Sequence, residues 1–222
     1  MKRGNKLRIL IVVCILAVSF PIAALDAGES SNAEIIPEWH VGDMWRVAVS
    51  FTADGERGSR PVAWTYRVRQ VPGSGEGYVL AVSCDETEPG ITVRLVYRQD
   101  FSLARVTMFR TVGGTARKVS TFYEAGAPVM TRRSPVPFDT PVFPLTVTVP
   151  PASYKTVRHM SDGLKYRVTF TQEVTKDKSD AEGLVVTCSA SDGMTFTQRW
   201  LPGRPWPVYG ENDRMTYRLV DE

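Results

Sequence analysis

Histidine and cysteine are scarce in this chain, with two and three among 222 residues. A closed zinc shell needs four nitrogen or sulfur ligands. His40 and His159 have no further His, Cys or acid at ligand spacing, so no metal site is expected. Nucleophilic motifs are missing as well: there is no Gly-x-Ser-x-Gly elbow, no Ser-x-x-Lys and no His-Glu-x-x-His. No glycine-rich loop opens a helix, which leaves phosphate without a cradle. Asp85, Glu86 and Glu88 share one turn, off the spacing of an EF-hand, and read as a solvated loop. No catalytic residue and no cofactor is therefore assigned, and the chain reads as a non-enzyme. A hydrolase with His40 or His159 beside a distant Ser and acid is the third-ranked alternative.

A charge excess is missing too, once the first residues are set aside. Lys2, Arg3, Lys6 and Arg8 precede an apolar run from Ile9 to Phe20, and Pro21 and small residues at Ala23, Ala24 and Ala27 follow. That is the layout of a secretory signal peptide, and the run is shorter than the roughly 20 residues of a spanning helix. Val13 before Cys14 does not fit a lipidation site. Residues 1–27 hold four of the 27 bases and one of the 24 acids, leaving 23 of each. A nucleic-acid binder needs a basic footprint, and the mature composition has none. The expectation is an exported protein, periplasmic or extracellular, that binds no nucleic acid.

Helical periodicity is also missing after the signal. What the sequence has instead is alternation, the mark of half-buried strands. Trp45, Val47, Val49 and Phe51 share one face, as do Val62, Trp64, Tyr66 and Val68. The same holds for Tyr78, Leu80, Val82 and Cys84, and for Ile91, Val93, Leu95 and Tyr97. Turn chemistry separates the runs. Pro72-Gly73-Ser74-Gly75 marks one turn, and Gly113-Gly114 suits a two-residue type I′ hairpin. At Ser191-Asp192-Gly193, a three-residue loop with Gly193 left-handed pairs Cys188 with Phe196 and Leu184 with Trp200. A two-residue loop would mix the two faces.

These patterns predict an all-β, mostly antiparallel protein: a strongly curved sheet or open barrel of 10–12 strands. Two halves are marked by a loose likeness between residues 66–84 and 166–188, each with Tyr-Arg-Val, a polar loop, an apolar run and Cys. The expected organisation is a signal peptide at 1–27, an extension and strand entry at 28–43, and a first β half at 44–126. A proline-rich connector or strap at 127–152 and a second half at 153–222 complete it. Prolines bar that connector from central pairing, while Phe138, Val142, Phe143 and Leu145 suit a strap lying on the sheet.

Matching positions in the likeness, an oxidising compartment and a shared apolar face predict a Cys84–Cys188 disulfide. The five tryptophans suggest binding. Trp39, Trp64, Trp200, Trp206 and Tyr209 are the candidate ligand contacts, three of them in the stiff Pro/Gly loop of residues 199–212; their plainer role is to plug the core. The first-ranked function is an envelope module that holds an apolar or amphipathic ligand, lipid or lipoprotein-like, on a concave aromatic face. The second is a structural or interaction module with a filled core, its envelope partner bound along a sheet edge.

Overall fold

The computed structural model describes residues 34–52, 61–70, 77–84, 91–132, 134–159 and 165–220, without the side chains of Val112, Arg158, His159 and Tyr166. The predicted signal segment, the predicted turns at Pro72–Gly75 and Asp85–Glu88, and the His159 side chain lie outside them.

The described residues form twelve strands and no helix. They are β1 (Met44–Phe51), β2 (Val62–Gln70), β3 (Tyr78–Ser83), β4 (Thr92–Tyr97), β5 (Leu103–Val112) and β6 (Thr115–Phe122), then β7 (Ala152–His159), β8 (Lys165–Lys176), β9 (Leu184–Ala190), β10 (Thr195–Trp200), β11 (Tyr209–Asn212) and β12 (Met215–Val220). All belong to one antiparallel sheet, ordered β6-β5-β4-β3-β2-β1-β12-β11-β10-β9-β8-β7. Each six-stranded meander pairs only with its neighbours in sequence, and β1 joins β12 at the centre.

The period-two pattern becomes one buried face. Trp45, Val47 and Val49 on β1, Trp64, Tyr66 and Val68 on β2, and Val93, Leu95 and Tyr97 on β4 all point to it. Val168, Phe170 and Val174 on β8 and Leu184, Val186 and Cys188 on β9 continue it. The turns obey local chemistry. Gly113 and Gly114 both have positive φ, 56° and 76°, and close the Val112–Thr115 pair. Gly193 has φ 88°, Ala190 N–H bonds Met194 C=O at an N···O distance of 2.8 Å, and Cys188 faces Phe196.

The connector between β6 and β7 lies across the buried face, and its contacts reveal the curvature. Tyr66 on β2 donates to Pro137 C=O (2.8 Å), and Tyr97 on β4 meets Thr140 Oγ1 (3.3 Å). Gln198 on β10 donates to Asp139 C=O (2.7 Å), and Gln172 on β8 brackets Val142, accepting from its N–H (2.8 Å) and donating to its C=O (2.9 Å). Six strand steps separate β4 from β10, about 29 Å in a flat sheet at ~4.8 Å per step. Side chains from both reach adjacent connector residues, which only a strongly curved sheet permits. The two sheet edges also approach: Glu124, just past β6, accepts from Thr156 Oγ1 (3.1 Å) and Val157 N–H (3.4 Å) on β7. The result is an open barrel with its own chain laid through the concave side.

The expected disulfide is corrected. Cys84 and Cys188 are both buried free thiols. They sit in different parts of the core, Cys84 with Trp45, Trp64 and Leu80, and Cys188 with Phe170, Val186 and Phe196. Cys84 follows β3 directly and Cys188 lies in β9, six strands away along the sheet. In this strand order, positions that match in the loose likeness between the two meanders lie six strands apart, so the likeness that suggested the bridge works against it. The register also separates the two Tyr-Arg-Val segments. Tyr66 faces Val82, two residues before Cys84, whereas Cys188 faces Gln172, six residues past Tyr166.

Candidate functional site

Two assemblies under the connector gather the chain's chemically distinctive side chains. The first is aromatic. Trp39 stands at its middle, stacked on Trp45 (6.2 Å between ring centroids) and Trp206 (6.4 Å), with Tyr97, Phe101 and Tyr78 meeting it edge-on at 4.9, 5.2 and 5.5 Å. Tyr66 packs on Trp45 and Trp206 at 5.8 and 4.9 Å. Edge-to-face and offset contacts of this kind add about 0.5–1.5 kcal/mol each beyond area burial. Local chain chemistry sets the pieces. Gly42, at φ 104°, turns the chain between Trp39 and β1, and Pro205 and Pro207 hold Trp206 from both sides. The Trp39 indole N–H donates to Pro205 C=O at 2.6 Å, tying strand entry to loop. Phe101, a non-glycine residue at φ 59°, takes a left-handed turn conformation that aims its ring at Trp39 and, 6.1 Å away, Phe143 of the connector.

The candidate ligand residues divide. Trp39 and Trp206 come together in this cluster. Trp64 is 1% exposed in the same core. Trp200 belongs to the other end of the core, edge-on to Phe143 at 5.2 Å, and donates its N–H to Gln198 Oε1 (2.9 Å). Tyr209 lies outside on β11, bonded to Glu211 and beneath the Arg218 guanidinium. No tryptophan is more than 5% exposed. Three indole N–H groups, those of Trp45, Trp64 and Trp206, are buried without a hydrogen-bond partner.

The second assembly is polar and centres on Asp139 of the connector. Its carboxylate accepts from Thr131 N–H (2.6 Å) and Asn212 Nδ2 (2.7 Å), and from the Tyr217 hydroxyl. Tyr217 in turn accepts from Gln198 Nε2 at 2.8 Å. Burial raises the Asp139 pKa to about 6 from 3.8, against the downward pull of those donors. The same burial lifts the surrounding phenols of Tyr66, Tyr97 and Tyr217 and, joined by the Asp139 charge, the Cys188 thiol. Gly210 makes room for this arrangement: a Cβ there would sit 2.2 Å from the Tyr217 ring.

Asp139, Gln172, Gln198, Asn212 and Tyr217 are absent from the sequence-based candidates. For the glutamines a signal existed. Gln172 falls between Phe170 and Val174, and Gln198 between Phe196 and Trp200, at inward positions of their alternation. A polar residue on an apolar stripe asks for a buried partner. Asp139 carries no periodic signal, because the connector has no strand period.

Chemically the two assemblies hold the connector down. Asp139 is 3% exposed, and Thr131, Asn212 and Tyr217 all donate to its carboxylate and so lock the fold. His40 is exposed and its partner is Asp43 in the same turn. Among the described residues no group of three His, Cys, Asp or Glu is placed to hold a metal ion. Comparison with known protein families, curated proteins and solved structures finds no match for this chain.

Proposed function

We propose that this chain is an exported, non-catalytic interaction module of the bacterial cell envelope. One observation carries the reading: the concave side that a carrier would offer its cargo is occupied by the chain's own connector. Val129, Val136, Phe138 and Leu145 are each 5% exposed or less. The candidate tryptophans spend their faces on one another and on the fold, so recognition falls to the outer surface and edges of the sheet. Export follows from the basic, apolar and small-residue order at the N-terminus.

A second reading, a carrier of an amphipathic ligand, is favoured by the three unpartnered indole N–H groups. Buried donors left unpaired each cost about 1–3 kcal/mol, and a ligand acceptor that displaced the connector would satisfy them. Native mass spectrometry of the protein taken from its own host separates the two. The module reading expects a chain beginning near Asp26 or Gly28, bare or bound to a protein. A retained lipid mass would overturn it in favour of the carrier.

A further inference from the structure

The edges of the open sheet are not used by the filled core. β6 is one of them, and all eight of its residues are exposed, Val119 by 64% and Phe122 by 71%. Among the described residues β6 pairs with β5 alone, and its outward peptide groups follow from the register. Tyr123 N–H bonds Ala104 C=O (2.9 Å), and the two-residue turn closes on Val112–Thr115, so the odd positions bond inward to β5. Bonded and non-bonded pairs alternate in an antiparallel ladder. The N–H and C=O groups of Ala116, Lys118, Ser120 and Phe122 therefore point away from the sheet, eight in all.

Charge decides what fits there. Residues 101–123 contain Arg105, Arg110, Arg117 and Lys118 and no acid, in a mature chain that is otherwise balanced. Arg110 and Arg117 stand directly opposite each other across the hairpin, a like-charge pairing that weakens it. A second copy of the chain is a poor occupant. β6 would meet the same bases on another β6, and β7, the other edge, carries Lys155 and Arg158 and no acid.

We propose that β6 docks an extended acidic segment of another envelope protein as an added strand. The partner's backbone bonds Ala116, Lys118, Ser120 and Phe122. Neighbouring carboxylates in the partner point to opposite faces of the sheet and meet Arg117 on one side and Lys118 on the other. This rests on the interaction-module reading and names the partner's chemistry.

The probe is an end-blocked octapeptide of Val and Thr with two adjacent central Glu, titrated by fluorescence anisotropy against the full mature protein. Saturable binding is expected, weakened at least fivefold by Ala116→Pro, which removes one outward donor from an exposed edge residue. Lys118→Glu weakens it at least tenfold and keeps the proposal testable if the proline variant does not fold. Raising salt from about 20 mM to about 300 mM also weakens it. A peptide with Lys in place of Glu, or one of equal charge broken by prolines, does not compete. Equal binding of the proline-broken peptide would reduce the effect to plain charge attraction and overturn strand addition. So would indifference to both substitutions, or binding only to phosphatidylglycerol vesicles. If the peptide fails while native mass spectrometry still finds a protein complex, the edge assignment falls and the module reading stands. A lipid mass on the native chain sinks that reading itself.

Discussion

Asp139 ties the connector to β10, β11 and β12, and its ionisation leaves a measurable mark. In the unfolded chain its carboxyl titrates near 3.8, in the folded protein near 6, because burial disfavours the charge. Between those values the native state holds the extra proton, so stability from this group falls as pH rises through the window and levels off above it. The difference corresponds to about 3 kcal/mol, an order-of-magnitude figure. Urea midpoints of wild type relative to Asp139→Asn are expected to decline between pH 4 and 6; a pH-independent difference refutes the assignment. Gly210 gives a second residue-scale outcome. Its φ is ordinary, but a Cβ collides with the Tyr217 ring. Gly210→Ala therefore displaces Tyr217 from Gln198 and Asp139 and is expected to cost roughly 1–3 kcal/mol, read from chemical denaturation. At this scale the sequence announces Trp45 and Val47 through their alternation, and conceals Asp139 because nothing periodic surrounds it.

Among the elements, the connector forms no strand, and its backbone pairs only at isolated bridges, Val129 with Thr140 and Leu145 with Ile35. Side chains of the sheet then hold it to the concave face, Gln172 above all. That amide accepts from Val142 N–H and donates to Val142 C=O. Gln172→Leu keeps the volume and leaves both groups unpaired, so a loss of about 2–4 kcal/mol is expected. Hydrogen exchange at the Val142 amide should accelerate in step. Unchanged protection there would show that the connector is held by apolar packing alone. The hairpins were legible in advance for the opposite reason. Gly113-Gly114 and Gly193 act through φ, a property of one or two residues, whereas the connector's path depends on strands far away in sequence.

For the molecule as a whole, the closing geometry decides what meets what. Two successive six-stranded meanders place Cys84 and Cys188 six strands apart. Thiol titration of the denatured, unreduced protein is expected to find Cys84 and Cys188 both free, and reductant is expected to leave the melting temperature unchanged. A blocked pair would refute the sheet order between β3 and β9. The curvature itself, seen where Tyr97 and Gln198 reach neighbouring connector residues, also narrows the gap bridged by Glu124. It leaves β6 and β7 unpaired with each other at the two ends of the sheet, and neither strand contains an acid.

By itself the sequence determined the strands, their inward faces and the tight turns, because alternation and left-handed glycine are local properties of a chain near water. It also determined the charge balance and the layout that predicts export. Only the tertiary structure decided that the concave side is filled, that Trp39 and Trp206 stack while Trp200 stands apart, that Asp139 is buried among tyrosines, and that the cysteines never meet. Each of those depends on which strands become neighbours and how tightly the sheet curves. Those are sums over all twelve strands, and no single stretch of residues encodes them.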